Sequence, residues 1–261
     1  MVLINPNTST ATTRMMTALA RRALAGTGLR VRGVTVSEGP PMLTDPAALR
    51  AAAPHVVAAA HQAVTSGDCA ALIVAAFGDP GVPELRGRPD AGPGDTPASG
   101  PRATPGPVPR PEPVSRPAPA PPPPLPPAPV PLPVPVVGIG EAAMAEAAEA
   151  GRRFGIATTT PRLAGSIAAH VERLGLASRY TGTRFTPGAP ERLAARPEAL
   201  LAALETAVRA CVARDGAEAV VIGGGPLGDA AAALQERLAV PVVAPIPAAC
   251  RQIARLLGAV S

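Results

Sequence analysis

Asp68-Cys69-Ala70-Ala71-Leu72-Ile73-Val74-Ala75-Ala76-Phe77-Gly78-Asp79 and Gly216-Ala217-Glu218-Ala219-Val220-Val221-Ile222-Gly223-Gly224-Gly225-Pro226-Leu227 carry one pattern written twice. Each is an apolar run of buried-strand length that opens into a glycine-bearing turn. Further out, Val2-Leu3-Ile4-Asn5-Pro6-Asn7-Thr8-Ser9 echoes Phe154-Gly155-Ile156-Ala157-Thr158-Thr159-Thr160. Val134-Pro135-Val136-Val137-Gly138 echoes Val240-Pro241-Val242-Val243-Ala244. One pair among Ala- and Val-rich strands would count for little, but three in the same order imply a duplicated unit. Such a unit builds two facing lobes with a ligand cleft between them. Ala76 and Gly224 are 148 positions apart, whereas Pro135 and Pro241 are only 106 apart, so the first copy carries 42 extra residues. Residues 89–135 supply them and hold 21 of the 36 prolines.

Strands and helices alternate along both copies. In the first, Val2–Ile4, Leu29–Val36, Leu72–Ala76 and Val134–Val137 read as strands. Helices are expected over Thr8–Ala25, capped by Asn7 or Thr8, then over Ala47–Ser66, with Pro54 in its first turn or at a kink, and over Glu141–Arg152. The second repeats this with strands at Arg153–Thr158, Gly182–Phe185, Val220–Ile222 and Pro241–Ala244. Its helices are expected at Pro161–Leu174, Pro197–Arg214, Leu227–Leu238 and Ala248–Leu257. The alternation predicts an α/β protein of two pseudo-symmetric flavodoxin-like lobes with parallel sheets. The first lobe is expected to span 1–88, continued by 134–150 and a closing helix within 247–261, and the second 151–246. Residues 89–133 form a proline-rich insertion, expected as polyproline II or disordered chain because proline donates no backbone hydrogen bond. It should leave the far edge of the sheet and spare the cleft.

Composition narrows the function classes. The chain has 261 residues and a net charge of +5, and all 24 basic residues are arginine. They stand singly or in pairs such as Arg21-Arg22 and Arg152-Arg153, with almost no aromatics between them, so no nucleic-acid partner is expected. No apolar run reaches the ~18 residues of a membrane span. The first strand begins at Val2 and the three cysteines show no pairing pattern, so a cytoplasmic protein is expected. His55 and His61 are six apart and share no helix face, and His170 stands alone, so no metal site is expected.

In parallel sheets, ligands sit beyond the carboxyl ends of the strands. Four segments land there: Asn5–Thr10, Phe77–Gly81, Thr158–Pro161 and Gly223–Gly228. Hydroxyls, amides and helix N-termini in these turns favour a small acid or imide, although Asn7 and Thr8 are equally suited to plain capping. Asp79 is the ionisable side chain of the four turns, able to act as a general base or to shape the Gly-Asp-Pro-Gly turn.

Leu3-Ile4-Asn5-Pro6-Asn7-Thr8-Ser9, Ala75-Ala76-Phe77-Gly78-Asp79-Pro80-Gly81, Pro135 to Ala143 and Arg153-Phe154-Gly155-Ile156 together resemble the aspartate/glutamate/hydantoin racemase family. The resemblance runs over the whole chain outside the proline tract. It implies the two-lobed fold, no organic cofactor, and a small-molecule carboxylate or hydantoin as partner. A homodimer is the default assembly on general grounds. The family's usual chemistry uses two cysteines, one on each face of the substrate's acidic carbon. By resemblance, Ala76 occupies the first cysteine position and Gly224 the second. Cys69 lies at the wrong end of its strand, Cys211 on an apolar helix face, and only Cys250 lies beyond a strand end. The leading expectation is therefore a cofactor-independent racemase or epimerase without its thiol pair. In it Asp79 would be the catalytic candidate, and Asn7, Thr8, Ser9, Phe77, Gly78, Thr158, Thr159, Gly224 and Gly225 would contact substrate. A non-catalytic small-carboxylate-binding protein and a lyase or isomerase on the same scaffold remain the alternatives.

Overall fold

The computed structural model describes residues 1–87 and 131–259, so nearly all of the expected 89–133 insertion lies outside the described residues. The first lobe runs β1 (Val2–Asn5), α1 (Thr10–Ala23), β2 (Arg32–Thr35), α2 (Pro46–Thr65), β3 (Leu72–Val74), α3 (Val82–Leu85), β4 (Val136–Gly138) and α4 (Ile139–Ala147). The second runs β5 (Phe154–Thr158), α5 (Ala164–Arg173), β6 (Tyr180–Phe185), α6 (Pro190–Ala194), α7 (Pro197–Ala213), β7 (Ala219–Gly223), α8 (Gly228–Gln235) and β8 (Val242–Val243), and α9 (Pro245–Leu256) follows. All strand pairs are parallel, in the orders β2-β1-β3-β4 and β6-β5-β7-β8. The orders are the same once the second copy is laid on the first, and each repeated sequence pair falls on equivalent strands.

Every residue of β1, β3, β5 and β7 is buried, as expected where helices cover both sheet faces. Strand alternation then splits the core into layers. Leu3, Ile73, Phe154, Ile156, Ala219 and Val221 share one central cluster with α1, α4 and α9. Val2, Ile4, Leu72 and Val74 turn outward onto α2, and Ala157, Val220 and Ile222 turn onto α7. Each fully buried Leu, Ile or Val contributes ~1.5–3 kcal/mol, and the shared cluster draws such residues from both lobes.

Several boundaries differ from the sequence expectation. Ser9, rather than Asn7 or Thr8, caps α1: its Oγ accepts from Thr12 N at 3.2 Å. Asn7 is occupied one step earlier, its Oδ1 accepting from Ser9 N and from Asn5 Nδ2, both at 2.9 Å. Pro54 lies inside α2, not in its first turn, because Asp45 caps the helix and Pro46 begins it. The expected helix at Pro161–Leu174 opens as a 3₁₀ turn over Pro161–Leu163 before α5, and α6 is an element the periodicity did not suggest. The chain before residue 88 and the chain after residue 130 meet at one point, where Leu132 N donates to Leu85 O at 3.0 Å. Among the described residues no helix is long and apolar enough to cross a membrane.

Candidate functional site

In each sheet the chain leaves the two central strands toward opposite edges, which opens a crevice beyond their carboxyl ends. The crevices of the two sheets face each other and merge into a cavity of about 220 Å³. Asn7 and Ser9 reach it from the β1–α1 loop, and Thr12 and Met16 from α1. Ala75, Ala76 and Phe77 enter after β3, and Met42 and Leu43 enter after β2. The second lobe contributes Thr159, Thr160 and Leu163 after β5, Leu200 of α7, and Gly223 to Leu227 after β7.

Of the residues singled out from the sequence, Asn7, Ser9, Phe77, Thr159, Gly224 and Gly225 line this cavity. Thr8, Gly78, Thr158 and Asp79 are not among its lining residues. The backbone N–H of Thr8 points to Pro40 O at 3.4 Å. Gly78 takes φ +130° against the side chain of Leu49, which would lie 3.0 Å from an added Cβ. Thr158 is fully buried and donates to Gly223 O at 2.6 Å, which braces the turn that follows β7. Sequence reasoning missed Thr12, Met16, Met42, Leu43 and Leu200. Met42 and Leu43 follow β2, whose carboxyl end lies on the same sheet edge, so the rule that found the other turns reaches them too.

The glycine-rich turn has a packing reason. A Cβ on Gly225 would lie 2.7 Å from Met16 Sδ, and one on Gly228 would lie 2.9 Å from Leu19 Cδ1. The turn is bare because it presses flat on α1 of the other lobe. Gly224 sits at φ +154°, ψ 128°, and a Cβ there would meet Leu227 at 3.1 Å. Ala76 and Gly224, which hold the two cysteine positions by resemblance, thus line one cavity from opposite lobes.

Asp79 works behind the cavity. It occupies the left-handed region at φ +52° and is buried. Its carboxyl spans the start of α4, accepting from Gly140 N at 2.8 Å and Glu141 N at 2.7 Å. Glycines at 138 and 140 leave the room it needs: a Cβ on Gly140 would lie 2.9 Å from Asp79 Oδ2. His170 Nε2 of α5 approaches the same oxygen at 3.3 Å, so this contact crosses the lobe interface. Burial, seconded by the negative charge of Glu141, pushes the Asp79 carboxyl up to about 8, against the opposing pull of the two N–H donors and of Arg86. Arg86 in turn pairs with Glu141 and donates to Val136 O.

The three thiols stand away from the cavity. Cys250, the arguable candidate in the sequence, is fully buried on α9 with Sγ 3.9 Å from Ala20 O, and burial pushes its thiol up to about 12. Cys211 lies 3.7 Å from Ile156 O and is raised to about 11, by burial first and then by Asp215. Cys69 is buried beside Ala71 O. Among the described residues no cluster of three His, Cys, Asp or Glu side chains is arranged to hold a metal ion.

Residues 1–93 and 130–253 match the sequence model of the Asp/Glu/Hydantoin racemase family. The chain is 24% identical over 253 residues to a hydantoin racemase of Paenarthrobacter aurescens, covering 96% of this chain and 87% of that one. Among solved structures, it resembles an allantoin racemase from Klebsiella pneumoniae with TM-score 0.77 and 24% identity, over 98% of this chain and 86% of the other. It also resembles an arylmalonate decarboxylase, with TM-score 0.58 and 18% identity over 98% of this chain and 92% of the other.

Proposed function

This chain belongs to the Asp/Glu/Hydantoin racemase family, and we propose that its interlobe cleft holds a small uncharged cyclic amide of the hydantoin type without carrying out two-thiol racemisation. One observation carries this reading: no described residue lining the cavity has an ionisable side chain. Moving a proton off one face of a carbon and onto the other requires an acid and a base in hydrogen-bond reach of it. Ala76 and Gly224 offer neither, and the raised, buried thiols elsewhere supply no thiolate.

The same lining favours one of the ligand classes the family name contains. An amino-acid carboxylate placed here would lose water and gain no cation, at a cost of several kcal/mol. A hydantoin ring is neutral and offers alternating C=O and N–H groups. Asn7, Ser9, Thr12, Thr159 and Thr160 present amide and hydroxyl groups able to meet them. Met42, Leu43, Leu163 and Leu200 leave the rest of the cavity to an apolar substituent.

Racemase or epimerase turnover without thiols is the second reading, with the hydroxyls as its supporting observation: Ser9 and Thr12 enter from one lobe, Thr159 and Thr160 from the other. A hydroxyl titrates far from neutrality unless something activates it, which places this reading second. Calorimetric titration with 5-benzylhydantoin and with L-aspartate tests the first. Binding of the hydantoin alone is expected; tighter binding of aspartate would overturn it.

A further inference from the structure

The segment Ser37 to Asp45, between β2 and α2, has no regular secondary structure, yet it carries Met42 and Leu43 of the cavity wall. Opposite it, in the second lobe, Thr159, Thr160 and Leu163 line the same mouth and bracket Arg162 in sequence. Asp45 and Arg162 form an ion pair between these walls. Asp45 is also committed to α2, its Oδ1 accepting from Ala48 N at 2.9 Å, while Oδ2 faces Arg162. The carboxylate is thus anchored on one side to a 20-residue helix, and on the other to the second lobe. The backbone amide of Ala48 first, and the Arg162 guanidinium with it, hold its carboxyl below the usual range, so Asp45 carries its charge at neutral pH.

We propose that Asp45 and Arg162 are positioning residues that clasp the Ser37–Asp45 segment over the cleft, so that Met42 and Leu43 close on a bound ligand. Neither side chain lines the cavity, so both act through the apolar residues beside them. The ligand half of the statement rests on the cleft being a hydantoin-type site; the clasp itself does not. Arg162 is largely exposed, with 72% of its side-chain surface accessible, so the pair is a weak, salt-screened tie suited to opening and closing rather than to holding the fold.

The experiment uses the full chain. Asp45→Asn keeps the helix cap, since asparagine caps as well as aspartate, and removes only the charge. Arg162→Gln removes the other charge, Arg162→Lys restores it, and Arg251→Gln, which breaks the Arg251–Glu146 pair on α9, serves as a control. Hydrogen–deuterium exchange of ligand-free protein is read at residues 37–45 and, for comparison, over α2. Asp45→Asn and Arg162→Gln should raise exchange in the segment about two- to fivefold at low salt, with α2 unchanged, Arg162→Lys close to wild type and Arg251→Gln without effect. Wild type should approach the variants in 1 M NaCl. The affinity for 5-benzylhydantoin should fall by a similar factor. Unchanged exchange in the segment overturns the clasp, as does an increase that extends through α2. If wild type binds no hydantoin, the reading of the cleft fails while the exchange data still decide the clasp.

Discussion

Replacing Asp79 by asparagine keeps one acceptor for the start of α4 and turns an NH₂ toward the other. Gly140 N, which is buried, and Glu141 N, which is partly buried, lie 2.8 and 2.7 Å from the carboxyl, so one of them loses its partner. An orphaned buried donor costs ~1–3 kcal/mol, which for a chain of this size lowers the melting temperature by ~2–10 °C. The pH dependence is the sharper observable. The folded carboxyl keeps its proton up to about 8, whereas an unfolded aspartate releases it near ~3.9. Between these values the folded state binds more protons, so the contribution of Asp79 is complete below the lower value and is lost as pH rises through the upper one. The slope is ~1.4 kcal/mol per pH unit, or ~3 kcal/mol between pH 5 and pH 7. Urea unfolding of wild type and Asp79→Asn at both pH values should show the wild-type advantage shrinking by that order. An advantage that is constant, or that grows with pH, would refute burial as the dominant influence. It would mean that the α4 N-terminus and His170 hold an ionised carboxylate.

Gly224→Cys should destabilise by ~1–3 kcal/mol, because φ +154° suits glycine and the new Cβ meets Leu227, while Ala76→Cys should be nearly neutral; chemical denaturation compares them. Thr158→Val removes the donor to Gly223 O and should cost ~1–3 kcal/mol, weakening hydantoin binding through the loosened turn rather than through a lost contact. In native protein at pH 8 a thiol reagent should modify none of the three cysteines until the chain unfolds, and rapid labelling of Cys250 would contradict its burial.

Much of the fold was legible because it is written twice. The three repeated stretches fell on β1/β5, β3/β7 and β4/β8, since a strand buried on both faces is a continuous apolar run; other such runs, Val56–Ala60 and Ala230–Leu234, are helical, and only the repetition in order told the strands apart. Helix starts were less legible: Asn7, Thr8 and Ser9 all suit a cap, and only the Asx turn of Asn7 onto Ser9 N decides among them. In the site, the loop rule found Asn7, Ser9, Phe77, Thr159, Gly224 and Gly225, but not what each faces. Asp79 stands next to a cavity-lining turn in sequence, yet its left-handed backbone turns the carboxyl toward α4. Its approach by His170, 91 positions later, has no local signature in either segment. The bare glycines after β7 read as an anion cradle, and the structure adds a contact with α1 that only the other lobe could reveal.

Proton NMR in D₂O with 5-benzylhydantoin tests the central claim most directly, following the C5–H signal against an enzyme-free sample. The cleft as built predicts protein-dependent broadening of the ligand resonances with loss of C5–H no faster than in the blank. Enzyme-dependent loss of that signal would contradict it and restore racemisation by a thiol-free route.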